Sequence, residues 1–284
     1  MGIGSVKVTT SGPIPGYALG YTNAEHERLI RQAARVAPVT ERLFREAGIG
    51  PGQRVLDLGS GVGDVAILVA RLVGPSGEVV GIERDASSIA RAKARVAEAG
   101  LRNVSFTQTD VSEIVSDTLF DAAVGRFILM FLPNPKSMLR SLVKLVRPGG
   151  VLVFQEPTWV PFLASEARLP LWSSVLSAVH ETFLRSGVNP EIGPSLYRAF
   201  QEIGMPAPDM RIETLLGSDA GFTGLLCDLV SSLKPLAQRH NVSFDGLGDL
   251  ETLAGRVHAE VVASNSMVSF VPLVGAWSRK RNDV

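Results

Sequence analysis

Apolar positions along the chain follow two rhythms. Between residues 54 and 155, short apolar runs alternate with segments whose apolar residues recur at helical spacing. The runs at 54–58, 78–83, 103–109, 120–124 and 151–155 read as strands. The segments at 64–73, 87–99 and 135–146 read as helices. Gly74-Pro75 closes the first, Asp85 caps the second and Gly100 stops it, and Pro135 opens the third. Arg147-Pro148-Gly149-Gly150 reads as a turn. Alternation at these lengths predicts an α/β fold, a parallel sheet with helices on both faces.

The flanks have a different pattern. Residues 1–20 are rich in Gly and Pro and read as a loose arm. Thr22-x-x-Glu25 is a capping box ahead of Leu29, Ile30, Ala33 and Val36, so a helix should begin there. Pro38 should kink or break it, with a second helical stretch to Ala47. Beyond Glu156, residues 157–170 are aromatic and proline-punctuated. Leu169, Trp172, Leu176, Val179 and Phe183 then form one helical apolar face. Pro190, Pro194, Pro206 and Pro208 mark loops. Residues 211–216 and 269–277 read as strands, and 225–239 and 250–262 as helices, the first interrupted at Pro235. The expected organisation is an N-terminal arm and helical lid (1–48), a ligand-binding core (49–156), a helical insertion forming a cap (157–207), and a completion of the core (208–284).

Composition narrows the partners. Twenty-eight Lys and Arg balance 28 Asp and Glu, so there is no bulk attraction to nucleic acid or to an anionic membrane, and no basic stripe is visible. The apolar run 127–132 is far too short to span a bilayer. The single cysteine, Cys227, reads as a small buried residue and fits a reducing cytoplasm. His26, His240 and His258 show no metal-ligand spacing, so no metal is expected. A mean hydropathy of +0.20 fits a buried interface, an apolar pocket or an aliphatic core.

The sharpest motif is Val55-Leu56-Asp57-Leu58-Gly59-Ser60-Gly61-Val62-Gly63-Asp64. A buried strand enters a glycine turn and a helix follows, which suits a nucleotide-like ligand at the carboxyl end of the first strand. The dinucleotide fingerprint G-x-G-x-x-G/A is not met, because Asp64 holds its third position. A carboxylate there would repel a pyrophosphate. Glu83 ends the second strand, where an acid can accept both ribose hydroxyls. Asp110 ends the third, where an acid can take an adenine amino group. Acids around a phosphate-free ligand suit S-adenosylmethionine (AdoMet), which carries a sulfonium and an ammonium.

With VVGIERD, FTQTDVSEI, FDAAVGRFILMFLPNP and LVRPGGVLVFQEP following in order, residues 50–156 resemble the class I AdoMet-dependent methyltransferases. The resemblance implies a seven-stranded, mostly parallel sheet with an antiparallel last strand slotted between its neighbours. It also implies that Gly59, Ser60, Gly61 and Gly63 pass close to AdoMet, and that Asp57 anchors the loop or the ammonium. Glu83 would bind the ribose, Arg84 would flank the adenine, and Asp110 and Val111 would read its edge. Arg126 would offer its backbone carbonyl to the ammonium. Tyr21 and Gln32 are the lid candidates. Plainer roles stand beside these: Asp57 and Asp110 as turn caps, Glu83 as a solvated strand end, Tyr21 and Gln32 as surface or packing residues.

Methyl transfer is an in-line displacement that asks the protein mainly for alignment and exclusion of water. Glu156, at the end of the fifth strand, is a candidate base or substrate contact; the alternative is a cap or salt bridge. His180 is a second catalytic candidate; the alternative is a packed residue. Trp159, Phe162 and Trp172 suggest an aromatic-walled pocket for a small apolar acceptor. Residues 125–128 lack the motif common to nucleic-acid amine methylation. The apolar C-terminal region is a candidate homodimer surface. Two other readings compete: a protein that binds AdoMet without methylating, such as a cyclase or regulatory module, and an NAD-type oxidoreductase.

Overall fold

The computed structural model describes residues 6–7, 18–164 and 168–282. Most of the expected N-terminal arm and part of the 157–170 stretch lie outside the described residues. Seven strands form the main sheet: β1 (Arg54–Leu58), β2 (Glu78–Glu83), β3 (Val104–Gln108), β4 (Phe120–Arg126), β5 (Val146–Pro157), β6 (Asp209–Glu213) and β7 (Leu273–Arg279), in the order β3-β2-β1-β4-β5-β7-β6. The first five run parallel. β7 runs antiparallel to both β5 and β6 and sits between them. The family's sheet is therefore present with its reversed last strand.

The central strands are buried on both faces, which explains why they read as unbroken apolar runs. On one face, α1 (Asn23–Glu46) and α2 (Asp64–Val73) cover Val55, Val79, Val124 and Val153 with Leu43, Phe44, Val65 and Val69. On the other, α4 (Pro135–Leu145) and α7 (Ile192–Glu202) cover Leu56, Ile82, Leu152 and Phe154 with Met138, Leu139, Leu196 and Phe200. α3 (Ala86–Glu98) flanks β2 and β3. The helices over the carboxyl edge come from two places. α5 (Val160–Ala164) and α6 (Pro170–Arg185) follow β5, whereas α8 (Ala220–Arg239) and α9 (Leu253–Ala263) lie between β6 and β7 and pack on α6.

Several expectations need correction. α1 is one 24-residue helix running through Pro38, and α8 likewise runs through Pro235. Each proline forfeits one backbone bond, but both helices bury an apolar face that outweighs the loss: Val36, Val39 and Leu43 in α1, Val230, Leu233 and Leu236 in α8. Pro194 lies in the first turn of α7 rather than in a loop; the N–H that proline lacks would have had no intrahelical acceptor there, so nothing is lost. The turn at 147–150 is a bulge within β5: Phe120 faces Val146, but Ala122 faces Val151. The last stretch divides, with Val268–Ser269 pairing to Leu216–Gly217 and β7 starting at Leu273. Thr22 Oγ1 does cap α1, accepting the Glu25 N–H at 3.1 Å, but the Glu25 carboxylate goes to Arg28.

Candidate active site

A cavity of about 1150 Å³ opens where the carboxyl ends of β1, β2 and β4 meet α1 and the cap helices. That is at the upper end of the roughly 300–1,000 Å³ of ligand pockets. Its walls divide into a polar half on the strand ends and an aromatic half under the cap.

The polar half begins at the turn between β1 and α2. Gly59, Ser60 and Gly61 line the cavity. Gly61 has φ +51°, and a Cβ there would meet nothing closer than 4.0 Å, so a ligand can lie against bare backbone. Gly63 does not line the cavity. It caps α2 from below, where a Cβ would come within 3.1 Å of the Ala92 side chain. Glu83 reaches across the turn: Oε2 accepts the Gly61 N–H at 3.0 Å, and Oε1 accepts those of Arg84 at 2.8 Å and Asp85 at 3.0 Å. A carboxylate offers about four lone-pair sites, so these bonds orient Glu83 and leave it able to accept from a ligand. Arg84 Nε donates to the Tyr21 hydroxyl at 2.8 Å, tying the segment ahead of α1 to the end of β2. Burial raises the Tyr21 pKa against the pull of Arg84. Gln32 accepts from Arg28 at 2.8 Å, and Asp110 Oδ1 accepts both the N–H and hydroxyl of Ser112. Tyr21, Gln32, Asp110 and Val111 all line the cavity, so Asp110 caps its turn and faces the site at once.

Asp57 is placed differently. It is 1% exposed, lies beneath the glycine turn and does not reach the cavity. Burial pushes its pKa up to about 8; Arg126 opposes the shift, and Asp64 and Glu83 add to it. Arg126 does line the cavity, and its Nη1 donates to Thr40 Oγ1 at 3.1 Å. The unexpected Asp64 is ion-paired to Arg95 at 2.8 Å. The fit to a polar ligand can be tested on the walls themselves. Ser60 Oγ and Thr109 Oγ1 are buried without a hydrogen-bond partner among the described residues, and both residues line this half. Such atoms are normally satisfied. Together with the open backbone at Gly61 and the acids Glu83 and Asp110, they fit a phosphate-free nucleoside with a cationic tail.

The aromatic half gathers Trp159, Phe162, Trp172 and Phe183. Trp159 meets Phe162 at 5.5 Å and Phe183 at 5.9 Å between centroids, and Phe162 meets Trp172 at 6.3 Å. The Trp172 indole N–H is buried without a partner among the described residues. Neither catalytic candidate lines the cavity. Glu156 is fully buried and accepts the N–H groups of Ile128 at 3.0 Å, Leu129 at 2.9 Å and Met130 at 3.4 Å. Burial pushes its pKa up to about 7 against those bonds. It is a cap for the turn after β4. His180 stacks on Trp159, with centroids 6.0 Å apart and 27° between planes, and stands 3.7 Å from Glu191. Burial lowers its pKa. Glu191 in turn accepts from Trp159 N, Val160 N and Thr158 Oγ1. His180 therefore backs the pocket wall.

Several lining residues escaped the sequence reading. Phe222, Leu225 and Leu226 on α8 close the aromatic half; their helical period was visible, but not that α8 folds over this site. His26, whose Nε2 is 3.1 Å from Ser88 Oγ, lines the polar half. Phe127 has φ +53° and lines the cavity just after β4. Left-handed backbone at a bulky residue costs energy and gathers at functional sites, and no residue type announces it. Among the described residues, no group of three or more His, Cys, Asp or Glu could hold a metal ion, and no helix is long and apolar enough to cross a membrane.

A family model described as a methyltransferase domain matches residues 49–191. The ubiquinone/menaquinone biosynthesis C-methyltransferase UbiE of Ectopseudomonas mendocina is 30% identical over 200 residues, covering 66% of this chain and 75% of that protein. Shorter alignments at 36% identity, to the same-named proteins of Pseudomonas paraeruginosa and Coxiella burnetii, cover 39% and 40% of this chain. The chain spans about half the length of those relatives. Among solved structures, a SAM-dependent methyltransferase from Geobacter sulfurreducens, in complex with S-adenosyl-L-homocysteine, superposes with a TM-score of 0.51 at 20% identity, covering 86% of this chain and 90% of that one. The [4+2]-cyclase SpnF superposes with a TM-score of 0.52, also at 20% identity, covering 86% and 81%.

Proposed function

The chain belongs to the family of AdoMet-dependent methyltransferase domains, and from that premise we propose that it methylates a small apolar or aromatic metabolite. One observation carries the reading: a single cavity joins the glycine turn and its acids to an aromatic chamber. AdoMet, when bound, supplies an electrophilic methyl group. Glu83, Ser60, Gly61, Asp110 and Val111 would hold its nucleoside, with Tyr21 and Arg84 closing over it.

The chain's own part is to align and to exclude water. Trp159, Phe162, Trp172 and Phe183 would hold the acceptor. Glu156 and His180 would act on the reaction only by fixing the turn after β4 and the Trp159 wall. The relatives' name makes a quinone-type ring carbon the first acceptor to try. The balanced charge supports a small molecule over nucleic acid, and the buried Cys227 supports a reducing cytoplasm. A homodimer through the C-terminal region belongs to the same reading, supported by the exposed Val262 and Met267. So does the division into lid, core, cap and completion.

The test is incubation with methyl-labelled AdoMet and small-molecule extracts, followed by solvent partition and mass. Label in an organic-soluble product heavier by one methyl is expected. A product of unchanged mass would favour a cyclase, a reading to which the shared fold with SpnF lends weight. Label in macromolecules would overturn the substrate class.

A further inference from the structure

We propose that the side chain of Arg126 receives the α-carboxylate of the cofactor's methionine end, so that the site selects AdoMet and its demethylated product through this ion pair. The inference rests on the cofactor reading above and goes beyond it, because the family resemblance gives Arg126 only a backbone role.

Four arginines among the described residues line the cavity: Arg28, Arg84, Arg126 and Arg239. Arg28 is committed within α1. Its Nε and Nη2 fork onto Glu25 at 2.7 Å each, and Nη1 donates to Gln32. Arg84 belongs to the end of β2 and to Tyr21. Arg239 is exposed in the last turn of α8. Arg126 alone stands at the end of β4, beside the glycine turn.

Period-two alternation puts Arg126 on the face of β4 that Val124 shares with Val55 of β1, under α1. There Thr40 Oγ1 holds Nη1 and itself bonds Gln155 at 2.7 Å. Thr40 is the one hydrogen-bond partner of the guanidinium among the described residues. Neither nearby acid makes an ion pair with it. Asp64 is taken by Arg95 at 2.8 Å. Asp57 lies deeper, and its pKa of about 8 leaves it mostly protonated near neutral pH. A guanidinium has five donors in a planar fork, and a sunken cation with one neutral partner calls for an anion. The methionine end of AdoMet carries a carboxylate beside its ammonium and sulfonium. A carboxylate matches the fork in shape and charge. Placed against Arg126, it would also shield the two cationic centres from the guanidinium.

The experiment is calorimetric titration of the wild-type protein, R126M and R126K with two ligands. One is S-adenosylhomocysteine; the other is its decarboxylated analogue, which keeps the ammonium. Wild type should prefer the carboxylate-bearing ligand by roughly 10- to 100-fold, the range for a charge-assisted hydrogen bond. R126M should lose that preference by weakening S-adenosylhomocysteine alone, with the analogue within about twofold of wild type, and R126K should recover part of it. The wild-type preference is read without any variant, so a misfolded variant does not remove the test. Equal binding of the two ligands by wild type, or equal weakening of both in R126M, would overturn the inference while leaving the cofactor reading intact. Wild type binding neither ligand would overturn both.

Discussion

The two halves of the cavity are built by different means. The polar half is made of strand ends: backbone amides at Gly61, Arg84 and Asp85 gathered by one carboxylate, with acids set at the tips of β2 and β3. The aromatic half is made of side chains on helices from two separate stretches, one after β5 and one between β6 and β7. In the first, geometry belongs to the main chain, so few residue types are tolerated. In the second, shape comes from packing, and many apolar residues would serve. A change in the polar half should therefore act on cofactor binding in a nearly all-or-none way, and a change in the aromatic half should act by degrees and on the acceptor.

The harshest break of that contrast is G61V. A branched side chain at φ +51° is strained and projects into the cofactor's path. S-adenosylhomocysteine affinity should fall by roughly 100-fold or more, read by calorimetry, with the circular dichroism spectrum unchanged. Affinity within threefold of wild type would remove the glycine turn from the site. Next comes E156A, which leaves three buried amides unanswered. Unfolding free energy should drop by about 3 kcal/mol in urea titration. A variant as stable as wild type but inactive would restore Glu156 as a catalytic group.

W172A should weaken acceptor binding about tenfold, in keeping with the loss of one buried aromatic, and leave cofactor affinity alone. W172F should sit between the two, since it keeps a six-membered ring and loses the rest of the indole with its unpartnered N–H. A separate test is a pH slope. Asp57 has its folded pKa raised to about 8 from 3.8, so its contribution is fully present below about pH 4 and is lost as pH rises through 8. D57N lacks that loss. Its stability relative to wild type should increase between pH 4 and 8, followed by melting at several pH values.

The same contrast governs what could be read from the chain. The sheet, its order of elements and the polar half were legible, because β1 to β5 are buried on both faces and because glycines and acids at strand ends have few other uses. Glu156 has two readings in sequence, a base or a cap, for a physical reason: a carboxylate at a strand tip looks the same whether it faces a ligand or the three amides it accepts from. His180 sits on the correct helix, but stacking behind Trp159 has no sequence signature. Pro38 and Pro235 misled because local cost is visible in sequence and the burial that outweighs it is not. The part of the wall supplied by α8 depends on a contact between helices separated in the chain by the whole stretch from Ser186 to Asp219, which periodicity alone does not reveal.

Pro38 has one further consequence. It leaves the Ala34 carbonyl without its helical donor, and the site of that missing bond falls between two differently supported stretches of α1. Residues 39–44 are clamped on the sheet by Val39, Leu43 and Phe44, whereas His26, Arg28, Leu29 and Gln32 face the cavity. Amide hydrogen exchange should thus divide one continuous helix into two opening units, the N-terminal one exchanging faster. S-adenosylhomocysteine should slow exchange in that unit and leave the other unchanged.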